Sequence, residues 1–505
     1  MISLNFSLIL QKITHNYTYR SNHTMKNIKF LFLYLLILAF ASCSKDSNSP
    51  DNPTDFTPKE LTVFCINDAH GQLDNFSKIK QIVDKEREST NVIVVSGGDL
   101  FSGNPTVDNH PEKGYPMIDV MNKIGFDVAV LGNHEFDYGP EILKDRMEQS
   151  NFYWVCANVD KGTTDIPEPF EYKTITKENI KITFLGLIET NGKKDATIPS
   201  THPWRVKQFH FDRPEDIVSL YSNVKNEEES DIYIALSHLG YNGNDQILGD
   251  VQLANNFPYF DLIIGGHSHD KINTKVNGIP IYQAGSNLNY LGKISVTIVN
   301  KKIESITDEL INLNTYQEYD SELKTTIDGY NNQDYLTEVI GVSKRDHNTS
   351  MVGCFYTDAL RIQMGVDVCF QNTGGIRSNL NEGDITKREI YEITPFSNGT
   401  VIYEMTVLDI KKFLAGSGSG FYYSGVQIQQ ADQEIEIRNM QGQRLSDDTI
   451  LKLGLNDYVP AVYDKYFPES GQVQNMTDAE TVISYLQNIN NQVDYPVCDR
   501  YFRMK

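Results

Sequence analysis

Five short apolar runs in this chain each end in a cluster of histidine, aspartate or asparagine, and that repetition constrains the fold more than any other feature. Val63-Phe64-Cys65-Ile66 leads into Asn67-Asp68-Ala69-His70-Gly71, and Val92-Ile93-Val94-Val95 leads into Gly97-Gly98-Asp99. Val128-Ala129-Val130-Leu131 precedes Gly132-Asn133-His134-Glu135-Phe136-Asp137, Ile232 to Leu236 precedes Ser237-His238, and Leu262-Ile263-Ile264 precedes Gly265-Gly266-His267-Ser268-His269. Such runs read as buried parallel strands, and ligands of parallel sheets gather beyond the strands' carboxyl ends. The pattern predicts one polar site fed by five strand ends.

The residue types at those ends are those of a metal site. Asp68 and His70, two residues apart just past a strand, can turn into one pocket, and the Asp99 carboxylate can bridge two cations. Asn133, His238, His267 and His269 complete a seven-residue ligand set, and imidazole, carboxylate and amide together suit Zn, Mn, Fe or Co. Of the nine histidines beyond residue 42, five fall inside these clusters, which scattered structural histidines would not do. A pair of cations can polarise a phosphoryl group, activate water and steady a leaving oxygen. His134 stands three residues before Asp137, so that carboxylate can orient it to act on the leaving group.

The rest of the chain places this site. Met25 to Lys29 is basic, Phe30 to Ala41 is uninterrupted apolar sequence too short to span a bilayer, and Ala41-Ser42-Cys43 precedes a polar stretch. This resembles a lipoprotein signal that ends at residue 42, begins at Met25 in its functional form, and leaves Cys43 to carry the lipid. A Ser-, Asn- and Pro-rich tether follows over 43–59. Strand-like runs then alternate with helical stretches at Phe76 to Glu88, Gly114 to Ile124 and Pro140 to Gln149, which predicts an α/β domain over 60–313. Residues 314–335 suit an exposed linking helix, and 336–505 is long enough for a second domain. Gly416 to Gly420 reads as a flexible surface loop. Cys65, Cys156, Cys354, Cys369 and Cys498 mostly sit beside apolar residues and read as core thiols rather than a disulfide framework, although export permits a bridge whose pair the sequence does not name. A formal charge of −22 excludes nucleic acid polymers as partners, while a small anion remains accessible if metals supply positive charge.

In this order the five clusters resemble the calcineurin-like metallophosphoesterases, and the chain from Leu61 onward is similar to secreted 5'-nucleotidases and 2',3'-cyclic phosphodiesterases. The resemblance implies a four-layer sandwich followed by a second α/β domain that binds substrate. It implies one metal on Asp68, His70, Asp99 and His269, another on Asp99, Asn133, His238 and His267, and a catalytic dyad of His134 and Asp137. Asn372-Thr373-Gly374-Gly375-Ile376-Arg377 resembles the loop that receives substrate, with Asn372 at its head and Arg377 on phosphate. Pro395-Phe396-Ser397-Asn398 and Asn456-Asp457-Tyr458 resemble the segments whose aromatic rings hold the base, and Asp464 falls where the family has a carboxylate for ribose. The chain departs from the family at Thr373, at Val462-Tyr463 in place of two glycines, and around Thr349 to Gly353, where arginines are missing and Arg345 is the nearest stand-in.

These features imply a membrane-anchored, extracytoplasmic phosphohydrolase that uses two divalent metal ions and releases nucleoside and phosphate from small nucleotides. Alternatives with the same metal core are a 2',3'-cyclic phosphodiesterase, a nucleotide-sugar hydrolase or a broad phosphomonoesterase. A noncatalytic surface protein that binds metal or nucleoside is a further alternative, but it would not need the pair His134 and Asp137.

Overall fold

The computed structural model describes residues 57–190, 198–244, 247–431, 434–469 and 471–504. The leader over 1–42, Cys43 and the tether up to residue 56 lie outside the described residues. Among the described residues, no helix is long and apolar enough to cross a membrane.

The five apolar runs are strands, and they belong to two sheets. We label them β1 (Lys59–Ile66), β2 (Asn91–Ser96), β3 (Val128–Val130), β4 (Ile232–His238) and β5 (Leu262–Ile264). β1, β2 and β3 are parallel neighbours in a six-stranded sheet that the antiparallel strands Tyr290–Val299 and Lys302–Asn312 extend beyond β1. β4 and β5 are parallel neighbours in a second six-stranded sheet.

Alternation along β1 explains how the sheets stack. Leu61, Val63 and Cys65 enter a core shared with Phe184, Ile234 and Ile264 of the second sheet, whereas Phe64 and Ile66 face the other way. On that outer side they meet helices Phe76–Arg87, Tyr115–Ile124 and Pro140–Gln149, at the three stretches that read as helical. The outer face of the second sheet presents Leu185, Tyr233 and Ile263 to Leu253 and Ala254 of helix Asp250–Asn256. The result is helix, sheet, sheet, helix: four layers around three apolar cores. Full burial of one such side chain contributes about 1.5–3 kcal/mol, so these cores set the spacing of the sheets and bring their strand ends to one place.

Three expectations need correction. Helix Ser321–Asn331 is not an exposed linker: Asp320 caps it, accepting from Leu323 N–H at 2.7 Å, and Leu323 and Ile327, one turn apart, are buried in the first domain's core. The glycine-rich run is not a free loop, because helix Val407–Ser417 continues into it and ends with Gly418 at φ 66°. Cys354 and Cys498 form a disulfide across 144 residues, while Cys65, Cys156 and Cys369 are buried free thiols. That pairing depends on the carboxyl-terminal tail folding back onto helix Thr349–Met364, which local composition does not reveal.

The second domain has its own six-stranded sheet, in the order Gln472–Thr477, Gly399–Thr406, Ile450–Asn456, Val368–Asn372, Phe421–Ser424, Tyr501–Phe502. Helices Thr349–Met364 and Asp478–Asn488 contribute to one apolar core, and Val407–Ser417 contributes to another. The chain is α/β throughout, with the segments Asn372 to Arg377 and Pro395 to Asn398 turned toward the strand ends of the first domain.

Candidate two-metal active site

The strand ends can meet because glycines line the seam between the sheets. A Cβ on Gly98, at φ +87°, would lie 2.8 Å from His238 Nδ1, and one on Gly266 would lie 2.5 Å from Gly97 O. The loops after β1 and β2 stay paired past the strands, through Asp68 N–H to Gly98 O at 2.9 Å and His70 N–H to Asp99 O at 3.1 Å. Asp68, His70, Asp99, His267 and His269 all adopt positive φ, between 47° and 77°. Left-handed backbone at residues other than glycine is costly and collects where geometry serves function. Here it turns five of the seven predicted ligands into one space.

Two ligand groups result, and they share one residue. Donor atoms of Asp68, His70, Asp99 and His269 lie within 4.8 Å of one another, as do those of Asp99, His238 and His267. Asn133 joins the second group: its Nδ2 donates to Ser200 O at 3.0 Å, which aims Oδ1 at His267 Nδ1, also at 3.0 Å. His70 Nδ1 lies 3.0 Å from Ser102 O and His238 Nδ1 lies 2.7 Å from Gly97 O, so both Nε2 atoms face the centre. His238 Nε2 is buried and lies 3.0 Å from Asp99 Oδ2, yet makes no hydrogen bond. A buried nitrogen aimed at a carboxylate without a hydrogen bond is what a ligand to a shared cation looks like. Burial pushes His70 down to about 3 and His269 down to about 4, which favours the neutral form that a metal ligand needs, and their Nε2 atoms lie 2.9 Å apart. The donor set therefore fits two divalent cations of the zinc, manganese, iron or cobalt type.

Beside this cluster stands His134, whose Nδ1 lies 2.6 Å from Asp137 Oδ2 and whose Nε2 lies 3.9 Å from Asp99 Oδ2. Burial disfavours its charge, but Asp99 and Asp137 outweigh burial and hold it up at about 9. Asp137 is fixed in turn by Thr201 Oγ1, which donates to Oδ1 at 2.7 Å. Glu135, in the same motif, was not singled out from sequence. Its fully buried carboxylate accepts from the N–H groups of Asp99 (3.0 Å), Leu100 (2.6 Å) and Gly132 (2.6 Å), tying the loops after β2 and β3 together. Asp250 performs a similar task under His238, accepting from Ser237 Oγ at 2.6 Å and Gln283 Nε2 at 2.7 Å.

A cavity of about 300 Å³ opens onto the cluster, with Asp99, Asn133, His134, His267 and His269 on one side and Asn372, Arg377, Phe396, Asn398 and Tyr458 on the other. Phe396 stacks on His134 with centroids 5.8 Å apart and 19° between planes, and the Arg377 guanidinium lies 5.8 Å from the centroid of the Phe396 ring. Two candidates fall elsewhere. Asp464 is exposed, accepts from Lys465 N–H at 2.7 Å and does not line the cavity. Beside it, Tyr463 packs on Phe413, and its hydroxyl lies 2.5 Å from Ser419 Oγ. Arg345 pairs with Asp494 at 2.6 Å, also away from the cavity. The structure adds Thr201, His202 and Arg205 to the wall. No strand end or motif marked that segment, so nothing local could have found it.

Comparison with known proteins agrees with this geometry. The calcineurin-like phosphoesterase family model matches residues 61–271, and the model for the 5'-nucleotidase C-terminal domain matches residues 331–468. The trifunctional nucleotide phosphoesterase protein YfkN of Bacillus subtilis is 27% identical over 524 residues; the match covers 89% of this chain but only 35% of YfkN. A 5'-nucleotidase of Vibrio cholerae is 26% identical over 520 residues, covering 86% of this chain and 91% of that protein. The crystal structure of a 5'-nucleotidase precursor from Thermus thermophilus shares the fold, with a TM-score of 0.72 at 19% identity over 87% of this chain and 98% of that one. The chain thus joins a calcineurin-like phosphoesterase domain to a 5'-nucleotidase C-terminal domain.

Proposed function

We propose that the protein is a two-metal phosphohydrolase that converts small nucleotides to nucleoside and phosphate, in the manner of a 5'-nucleotidase. The observation that carries this reading is the position of Asp99. It is common to both ligand groups and lies at the floor of a cavity whose opposite wall offers a guanidinium and two aromatic rings. Bound at these ligands, two divalent cations would polarise the phosphoryl group and lower the cost of deprotonating the attacking water. The chain's own residues do the rest. Arg377 supplies a planar fork that matches phosphoryl oxygens. His134, kept protonated by Asp99 and Asp137, gives its proton to the departing ribose oxygen. Phe396 and Tyr458 offer apolar faces to the base, and Asn372 and Asn398 offer amides to the sugar or base.

A second reading keeps the same metal centre but makes the protein a 2',3'-cyclic phosphodiesterase, a nucleotide-sugar hydrolase or a broad phosphomonoesterase, and a relative named as a trifunctional nucleotide phosphoesterase supports a breadth of this kind. Cys43 as a lipid anchor and an extracytoplasmic location belong to the proposal as well. The leader sequence supports them, and so does the Cys354–Cys498 disulfide, since disulfides persist outside the reducing cytoplasm. The test is a panel of AMP, a cyclic nucleotide, UDP-glucose and an aryl phosphate, assayed for phosphate or nucleotide release with and without chelator. Chelator-sensitive release of phosphate from AMP is expected. No turnover of any substrate with added Mn or Zn would sink the enzyme reading.

A further inference from the structure

Two arginines line the cavity, and only Arg377 also lines the neighbouring cavity that reaches His70 and His269. Arg377, from the second domain, lies toward the metal ligands, where its charge bears on His70, His134 and His269. Arg205, from the segment after Thr201, lines the same cavity as Asp137, and its charge bears on that carboxylate. Its Nη2 donates to Ser397 O at 3.2 Å, which holds the guanidinium across the gap between the domains. Its Nη1 is buried and has no hydrogen-bond partner among the described residues. A buried N–H on a permanent cation is costly to leave unmatched, and it is best matched by an anion. Arg205 makes no ion pair among the described residues, although its charge bears on Asp137 and Asp478, so its buried Nη1 is open to an anion carried by the substrate.

We infer that Arg205 is a specificity determinant that receives a negatively charged leaving group, so that the site favours nucleoside diphosphates over monophosphates to an extent set by this one side chain. The inference rests on the nucleotide reading above. With the terminal phosphoryl at the metal ligands and Arg377, the bond from phosphorus to the bridging oxygen breaks as the bond to water oxygen forms. The water's proton passes to solvent or base, and the electron pair stays on the bridging oxygen of the departing nucleoside monophosphate. A ribose oxygen leaving from a monophosphate needs a proton, which His134 supplies. A phosphate oxygen leaves as an anion, and a nearby guanidinium stabilises that charge where a proton donor is not required.

The experiment compares kcat/KM for ADP and AMP in the wild-type protein, Arg205→Gln and Arg205→Lys, with thermal melts and metal content as controls for folding and loading. Arg205→Gln is expected to lower the ADP-to-AMP ratio about tenfold to a hundredfold, the worth of one charge-assisted hydrogen bond, and Arg205→Lys to restore much of it. An unchanged ratio in a folded, metal-loaded Arg205→Gln would overturn the inference and leave the nucleotidase reading intact, whereas a wild-type protein that turns over neither nucleotide but cleaves an aryl phosphate would overturn both.

Discussion

Replacing Asp137 by Asn isolates what the dyad does, because it removes a charge and almost no volume. Asp137 is buried, with one oxygen 2.6 Å from His134 Nδ1 and the other accepting from Thr201 Oγ1 at 2.7 Å, so the amide can occupy the same place. What is lost is the carboxylate that helps hold His134 protonated against burial. A hydrogen bond to a charged group contributes about 1.5–3 kcal/mol, which corresponds to about a tenfold to hundredfold fall in kcat if the proton is needed in the rate-limiting step. The substrate decides whether it is needed. A ribose alkoxide from AMP cannot leave without a proton, whereas an activated phenolate from an aryl phosphate can. Steady-state kinetics of Asp137→Asn on both substrates, at equal metal content, should therefore show a loss confined largely to AMP. Equal losses on the two would refute proton donation by His134 and leave the dyad a structural prop.

The shared position of Asp99 predicts that Asp99→Ala loses both metals together, read by elemental analysis of the purified protein; retention of two equivalents would contradict the sharing. Phe396→Ala should raise KM for AMP more than for an aryl phosphate, because a lost base stack is worth about 1–3 kcal/mol; equal effects would remove Phe396 from base recognition. At the far end of the second domain, burial raises the Asp358 carboxyl, but Arg500, Ser424 and Tyr495 outweigh it and hold it below its usual value. A depressed carboxylate contributes stability that is present above its unfolded pKa, about 3.9, and is lost as pH falls through the folded value. The melting temperature of the wild-type protein should thus exceed that of Asp358→Asn near neutrality by a margin that closes below about pH 4, and a margin independent of pH would show that the clamp on Arg500 carries no charge contribution.

How much of this could be read before folding depends on whether chemistry leaves a local trace. Each metal ligand follows an apolar run within a few residues, and the glycines that let the sheets touch stand immediately before Asp99 and His267. Strand, glycine and ligand are neighbours because one backbone must be buried, turn sharply and present a donor within a single loop, so all three constraints appear in one short segment. The stacking of two sheets is not written that way. It follows from alternation along β1, where odd and even residues enter different cores, and alternation within an all-apolar strand leaves no mark on the residue types.

The substrate wall follows a different logic. Arg205, His202 and Thr201 reach the cavity from a segment with no motif, because a side chain that meets the substrate from across a domain boundary needs only the right length and charge. Asp464 shows the converse: Tyr463 beside it packs against Phe413, and the carboxylate stands in solvent. The two sets of residues answer to different physics: the ligands must satisfy cations of fixed charge and coordination, whereas the wall must only complement whichever leaving group the chain has come to accept.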